Sequence, residues 1–175
     1  MDRVLPTVAI LVVLIAVLLL ILVGWRRRVR RDRDAGAGYP APATPAASLV
    51  EVRALYVATT KGGEPLERLA LPGLAFRGNA AVTVSGDGVT IAVTGEHPVF
   101  ITAGALTGVG AATVTIDRVV ERDGLVRISW TTSGGAAADS FLRVVDPVDR
   151  EPLLAAVGTI LPTAEPAVPP TESEV

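Results

Sequence analysis

The stretch that decides the fold is Ala81-Val82-Thr83-Val84-Ser85-Gly86-Asp87-Gly88-Val89-Thr90-Ile91-Ala92-Val93. Apolar and polar residues alternate on both sides of Gly86-Asp87-Gly88, so that Val82 and Val84 fall on one face and Thr83 on the other. A period of two is typical of a half-buried strand. The Gly-Asp-Gly sequence supplies the backbone conformations that a tight hairpin turn requires. The stretch therefore predicts a β-hairpin.

The same period extends from this hairpin in both directions along the chain. In residues 50–60 this period places five apolar residues on one face. In residues 125–132 it places three apolar residues on one face. The first set is Val50, Val52, Ala54, Tyr56 and Ala58, and the second is Val126, Ile128 and Trp130. Residues 102–106 read as one helical turn or an irregular crossing. We predict about seven short antiparallel strands, at residues 50–60, 81–85, 89–93, 99–101, 113–122, 125–132 and 140–145.

The period changes after the last strand. Five apolar residues recur at i, i+1, i+4, i+7 and i+8, which is one stripe of a helix: Leu153, Leu154, Val157, Ile160 and Leu161. Asp146 or Asp149 can cap this helix, and Pro162 ends it. One amphipathic helix after seven short strands is expected to close one end of a small barrel.

The N-terminal residues differ in character from the rest. Residues 4–23 hold sixteen Val, Leu or Ile and no charge. Twenty helical residues rise about 30 Å, which matches a bilayer core, so we predict a span from Val4 to Val23 with Trp25 at the interface. A signal peptide would carry its positive charge before the apolar region, whereas here the charge follows it. We therefore assign residues 1–25 to an uncleaved transmembrane anchor.

An arginine cluster follows the predicted span and comprises Arg26, Arg27, Arg28, Arg30, Arg31 and Arg33. Basic residues beside a span are retained in the cytoplasm. The cluster therefore predicts a cell-membrane protein with its N-terminus outside and its C-terminal domain in the cytoplasm. The same arginines could also contact anionic lipid headgroups, at roughly 1 kcal/mol per charge. Both interpretations remain open, and they are compatible.

Composition divides the remaining residues into three parts. Residues 26–47 are basic at first and then rich in Pro and Ala, which predicts a juxtamembrane linker that acts as a semi-extended spacer. Residues 48–161 form the predicted β domain, and residues 162–175 a solvated, disordered tail. Residues 35–175 carry nine basic groups and fifteen acidic ones, a net charge of −6. An acidic body repels phosphate backbones, which argues against a nucleic-acid partner.

The sequence contains few residues suited to catalysis. There is no cysteine, and His97 is the only histidine, so neither a thiolate nucleophile nor a multi-His metal site can be assembled. Two pairs of carboxylates could suggest general acid and base chemistry: Asp117 with Glu121, and Asp146 with Asp149. A solvated strand face explains the first pair, and a helix cap explains the second. We assign no catalytic, cofactor-binding or metal residues, and we expect a protein that is not an enzyme.

Four short segments carry a resemblance to a known family: Leu55-Tyr56-Val57-Ala58-Thr59-Thr60, Gly73-Leu74-Ala75-Phe76-Arg77-Gly78, Thr115-Ile116-Asp117-Arg118-Val119-Val120 and Phe141-Leu142-Arg143-Val144-Val145-Asp146. With the order of elements, they resemble a small actinobacterial family of single-pass membrane proteins with a bacterial pleckstrin-homology-like (PH-like) domain. The resemblance covers roughly residues 1 to 161. Some members are labelled transporters or export proteins, but one helix cannot form an alternating-access pathway.

The resemblance implies a bent, seven-stranded antiparallel barrel capped by a C-terminal helix. Eukaryotic domains of this type bind phosphoinositides through a basic first strand-to-strand loop. The equivalent residues 60–68 hold two bases and two acids, which argues against that ligand. We therefore expect a non-catalytic protein or peptide binding module at the cytoplasmic face of the membrane. The alternative is a structural or accessory subunit of a membrane complex, assembled through the transmembrane helix.

Overall fold

The structure is a computed structural model and describes residues 4–34, 36–112 and 124–162. Within these ranges a long helix, α1 (Val4–Asp34), precedes eight strands and a second helix, α2 (Arg150–Ile160). The strands are β1 (Ser48–Lys61), β2 (Glu64–Leu69), β3 (Gly78–Ser85), β4 (Gly88–Val93), β5 (Val99–Thr102), β6 (Leu106–Ala112), β7 (Leu125–Thr131) and β8 (Ala137–Val144). Short 3-10 helices lie at Ala103–Ala105 and Pro147–Asp149.

All eight strands belong to one antiparallel sheet, with the order β5-β4-β3-β1-β8-β7-β6 and with β2 paired to β1 alone. The predicted hairpin is present, because β3 and β4 pair from Ala80 with Val93 through to Ser85 with Gly88. Strand β1 is central because it is long enough to pair on both edges. One edge pairs with β3 and then β2, and the other with β8.

The core lies on one side of this sheet and receives side chains from every strand and from α2. The predicted inward residues Val82, Val84, Val126, Ile128 and Trp130 are all buried in it. Burying each such side chain stabilises the fold by roughly 1.5–3 kcal/mol relative to leaving it exposed. The alternation seen in the sequence therefore identifies the buried face of the sheet.

The predicted C-terminal helix is confirmed. Leu153 and Val157 of α2 are fully buried, and α2 packs against β1, β3, β4 and β6. The Oδ1 atom of Asp146 accepts a hydrogen bond from the amide of Val148 at 3.0 Å, whereas Asp149 makes no side-chain cap. Asp146 therefore caps the 3-10 turn that leads into α2.

The observed strands differ from the expected ones at β2, at β6 and at Ala58. Strands β2 and β6 were not predicted, while the predicted strand at residues 113–122 lies outside the described residues. Ala58 does not share a face with Tyr56, because the β1–β8 pairing is irregular between them. Ala58 instead packs with Val57, Leu125 and Phe141 in a second, smaller apolar cluster. A bulge of this kind adds a residue to one strand and reverses the faces beyond it.

Candidate functional site

Residues 36–47, which we call the edge segment, are docked on the sheet. The amide of Ala37 donates to Ser133 Oγ at 3.2 Å, and the amide of Ser133 donates to the carbonyl of Ala37 at 3.1 Å. At the other end, the amide of Ala46 donates to the Asp87 carboxylate at 2.7 Å. The expectation that these residues form a spacer is therefore corrected, because turns of the domain supply the hydrogen bonds that the segment cannot make within itself.

Tyr39 holds the middle of the edge segment. Its amide donates to the carbonyl of Phe100 on the edge strand β5 at 2.7 Å. Its hydroxyl lies 3.0 Å and 3.2 Å from the carbonyls of Thr131 and Thr132 at the end of β7. The side chain thus links β5 to β7 across the unpaired edge of the sheet. Prolines at 40, 42 and 45 have no amide to donate, so the segment forms one bridge and not a ninth strand.

The junction between α1 and the domain is short. Only Ala35 separates Asp34, the last residue of α1, from the edge segment. Gly36 has φ +72°, and a Cβ on it would overlap the backbone nitrogen of Gly134. The chain thus passes from the helix to a tight contact with the β7–β8 turn, with one residue between them.

A groove of about 460 Å³ lies where β1 runs between β3 and β8. Its lining consists of Arg53, Ala54, Asn79, Ala80, Ala81, Thr94 and Val145. The register explains the shape: Arg53 is opposite Ala81, and Leu55 is opposite Asn79. The small side chain of Ala81 leaves a depression between the longer Arg53 and Asn79, whereas the side chains of Ala54 and Ala80 are buried in the core on the other side of the sheet. A volume of this size is within the range of small-ligand sites.

The rim of this groove presents exposed polar side chains that have no partner among the described residues. Arg53, Asn79 and Thr94 are exposed, and within the described ranges their side chains have no hydrogen-bond or ion-pair partner. Glu51 lies two residues along the same face of β1, but forms no ion pair with Arg53. Val145 adds an apolar wall that is 62% exposed, and its amide donates to the carbonyl of Arg53 at 2.9 Å. The groove therefore combines one free cation with two neutral hydrogen-bonding groups.

A second hollow, of about 420 Å³, lies between the edge segment and β5. Tyr39, Pro40, Pro42, Asp87, Phe100 and Thr102 line it. Its acidic group, Asp87, already accepts the amide hydrogen bond of Ala46. The hollow is thus part of the packing of the edge segment and offers less recognition chemistry than the Arg53 groove.

Residues 60–68, the candidate phosphoinositide loop, form a β1–β2 hairpin. Lys61 Nζ lies 2.7 Å from Glu64 and 3.9 Å from Glu67. The Arg68 guanidinium donates to the carbonyl of Ala75 at 3.2 Å. The hydrogen bond from Lys61 is the main reason that the pKa of Glu64 is lowered. Both cations of this hairpin therefore have partners, and the absence of phosphoinositide binding stays a prediction.

A buried polar chain crosses the interior of the barrel. Trp130 Nε1 donates to Ser140 Oγ at 3.0 Å, and Ser140 Oγ lies 2.8 Å from Thr59 Oγ1. The Tyr56 hydroxyl lies 2.9 Å from Thr59 Oγ1 and 2.7 Å from the carbonyl of Leu74. A phenol has one proton, and a carbonyl only accepts, so Thr59 donates to Tyr56 when Tyr56 donates to Leu74. Burial raises the pKa of Tyr56 to about 12. The chain satisfies core polar groups and is structural.

The predicted anchor and arginine residues all lie in α1. Val4 begins the helix, Val23 is exposed, and Trp25 directly precedes the arginine cluster, which comprises Arg26, Arg27, Arg28, Arg30, Arg31 and Arg33. Residues 7–24 are all exposed, and by length and composition they form the one helix in the described part of the chain that could cross a membrane. Because α1 continues to Asp34, the arginine cluster belongs to the same helix as the apolar stretch.

The described residues contain no group of three His, Asp or Glu that could hold a metal ion. His97 is exposed in the β4–β5 turn. Asp139, a buried carboxylate, accepts hydrogen bonds from Ser129 Oγ and from the amide of Gly63. Its lone pairs are thus used to fix the β1–β2 turn against β8. Sequence reasoning missed the Arg53 groove, because Arg53, Asn79, Thr94 and Val145 come from four separate segments.

A curved antiparallel sheet around one core, closed by a C-terminal helix, defines a PH-like domain. A family described as "Bacterial PH domain-like" matches residues 35–158, and the chain belongs to that family. The match begins at Ala35, ahead of the predicted domain boundary at residue 48, and so includes the docked edge segment. No curated protein matches the chain.

A chain of the solved structure titled "The 8S snRNP Assembly Intermediate" is similar to this protein. The two are 10% identical with a TM-score of 0.44, over 74% of this chain and 94% of that chain. A likeness at this level carries no argument about function.

Proposed function

We propose that this protein is a membrane-anchored, non-catalytic binding module whose PH-like domain docks a protein or peptide at the cytoplasmic face of the cell membrane. PH-like domains are generally binding modules without catalysis. The observation that carries the proposal is the one-residue junction between α1 and the docked edge segment. Such a junction keeps the domain beside the bilayer, which raises its local concentration for partners there.

The helix and its charges support the membrane part of this proposal. An exposed apolar stretch of eighteen residues needs an apolar solvent, which a bilayer provides. The arginine cluster follows this stretch, and by the positive-inside rule it supports a cytoplasmic location of the domain. The Arg53 groove is the surface we assign to the partner, since it pairs a depression with exposed polar side chains that have no partner in the described residues, whereas Asp87 in the hollow beside β5 already accepts a hydrogen bond.

The orientation of the protein in the membrane is tested by cysteine labelling. Because the sequence contains no cysteine, an introduced cysteine is the single labelling site. Two full-length variants carry a single cysteine: Asp2→Cys ahead of the helix, and Leu66→Cys on the domain, where Leu66 is 77% exposed. A membrane-impermeant maleimide should label the Asp2→Cys variant in intact cells and the Leu66→Cys variant only after lysis. Labelling of the Leu66→Cys variant in intact cells would overturn the cytoplasmic placement.

Docking is tested by photo-crosslinking in the native membrane. A photoreactive residue replaces Val145, at the groove rim, or Val148, which is 77% exposed but does not line the groove. We expect a discrete crosslinked adduct from position 145 that is absent from position 148. Identical patterns at the two positions would count against a partner in the groove.

A further inference from the structure

The Arg53 groove has the chemistry to select the charge of what it binds. We propose that it takes a segment of an extended acidic peptide, with one Asp or Glu carboxylate held by the Arg53 guanidinium. The inference rests on the proposed function, since it names the ligand class for the same surface. A guanidinium and a carboxylate match in charge and in planar, bidentate geometry.

Charge counting favours a carboxylate over a phosphate. Arg53 is the single cation in the lining, and the other polar side chains, Asn79 and Thr94, are neutral. One positive charge balances one carboxylate, whereas a phosphate group carries about −1.5 to −2 at neutral pH and would remain partly uncompensated. Asn79 and Thr94 can donate hydrogen bonds to the second carboxylate oxygen or to a peptide carbonyl.

Backbone pairing favours a side-chain carboxylate over a peptide C-terminus. Terminal carboxylates are usually captured by free backbone N–H groups. In this groove Ala80 and Ala81 lie within the β3 ladder, and the amides of Thr94 and Val145 donate to Asn79 and Arg53. The groove therefore offers side chains for recognition and no cluster of free amides.

The apolar lining suits the residues that flank the carboxylate. Ala81 gives the groove a floor without a long side chain, and Val145 forms one wall, while the side chains of Ala54 and Ala80 belong to the core on the other side of the sheet. A peptide with small aliphatic residues on either side of its acid would fill the depression without leaving a polar group buried. We therefore expect the preferred segment to be acidic at one position and apolar beside it.

The test measures binding of two fluorescein-labelled, end-capped peptides to the full-length protein in detergent micelles. Their sequences are Ala-Val-Glu-Val-Ala and Ala-Val-Gln-Val-Ala, which differ only in the charge of the central residue. We expect the Glu peptide to bind at least about tenfold more tightly, as for a charge-assisted hydrogen bond. The variant Arg53→Gln should remove this preference, and Arg127→Gln, at another exposed arginine on β7, should keep it.

A third variant tests the position of the peptide. Ala81→Leu fills the groove floor and should weaken both peptides. Equal binding of the two peptides, no binding of either, or a charge preference that survives Arg53→Gln would each overturn the inference. Thermal unfolding of every variant checks that it is folded. Because the Arg53 side chain is exposed, we do not expect Arg53→Gln to lower the stability of the fold.

Failure of this inference is distinguishable from failure of the proposed function. A specific adduct from position 145 together with equal binding of both peptides would leave the binding module standing and remove the acidic ligand. Arg53-dependent peptide selection without any adduct in the membrane would leave the ligand chemistry standing and remove the cellular docking role.

Discussion

At the scale of single residues, Gly88 carries the tightest backbone contact of the β3–β4 hairpin. Its φ is +153°, and a Cβ at this position would overlap the carbonyl oxygen of Ile101 on β5. We expect Gly88→Ala to lower the free energy of unfolding by about 2–3 kcal/mol, because it adds backbone strain and forces β4 away from β5. Denaturant unfolding of the full-length protein, followed by the fluorescence of buried Trp130, measures the loss.

The matched control for Gly88 is Gly110, which also lies in a strand. A Cβ at Gly110 meets nothing within 4 Å, and its φ is not positive. Gly110→Ala should therefore be neutral, or stabilising by up to about 1 kcal/mol through the unfolded state. A similar loss of stability in both variants would contradict the assigned role of Gly88.

The raised pKa of Tyr56 predicts how the free energy of unfolding depends on pH. Its pKa is about 12 in the folded protein against 10.0 for an unperturbed phenol. Between these values the unfolded chain loses a proton that the folded chain keeps, so this contribution is complete below about pH 10 and is lost as the pH rises toward 12. Tyr56→Phe removes the titration, and below pH 10 it should cost about 1–3 kcal/mol, because it leaves the Leu74 carbonyl without its donor.

The measurement for Tyr56 is the difference in unfolding free energy between the natural protein and Tyr56→Phe. Taking the difference cancels the contributions of the other groups that titrate at high pH. We expect it to shrink steadily from about pH 10 to 12. A difference that stays constant over this interval would show that the phenol is not protected by burial.

At the scale of elements, alternation of residue type made most strands predictable. The strands that it missed have little alternation: β2 begins Glu64-Pro65 and is largely exposed, and β6 is made of small residues such as Gly108 and Gly110. Both form because a neighbouring strand supplies their partners, β1 for β2 and β7 for β6. Tertiary pairing of this kind overrides weak local propensity.

The edge segment was missed for a related reason. Its composition of Pro, Ala and Gly is that of a spacer, and its docking depends on residues far along the chain. Tyr39 meets the Phe100 carbonyl and the Thr131 carbonyl, 61 and 92 residues away. The same limit hid the groove, whose residues converge only when β1 pairs with both β3 and β8. Pairings across such separations leave no periodic pattern in the sequence.

The edge segment yields a prediction at this scale. Tyr39→Phe loses only the contacts of the hydroxyl with Thr131 and Thr132, while Tyr39→Ala also loses the ring that packs against the core. We expect hydrogen exchange of the amide at position 39 to quicken about fivefold in the first variant and substantially more in the second. Exchange at Ile91, which lies in β4 between β3 and β5, should stay unchanged.

A matched control for Tyr39 is Phe76→Ala. Phe76 is 56% exposed and lies outside the edge segment, so its removal should leave the amide at position 39 protected. Equal protection in the natural protein and in Tyr39→Ala would mean that the edge segment is held by its ends alone, through Ala37 and Ala46.

At the scale of the whole molecule, the question is whether α1 only anchors or also assembles. Residues 7–24 include no two small residues four apart, and the two alanines, Ala9 and Ala16, are seven apart. Close helix packing in membranes usually relies on small residues four apart. The span thus has little to distinguish it from any apolar helix, whereas the domain has a built groove. This contrast favours the binding module over an accessory subunit assembled through its helix.

Exchange of the span tests this contrast. Residues 7–24 are replaced by an unrelated apolar sequence of the same length, and the arginine cluster and the domain are kept. If α1 is only an anchor, crosslinking from position 145 should give the same adduct in the same yield. A protein that still inserts, as shown by labelling of the Asp2→Cys variant in intact cells, but loses the adduct would assign the partner to the helix. The reverse case is Ala81→Leu in the protein with its natural span, because this substitution changes the groove and leaves the anchor intact. Loss of the adduct there, with its retention after the span exchange, would assign recognition to the sheet and leave α1 the role of holding the groove at the membrane.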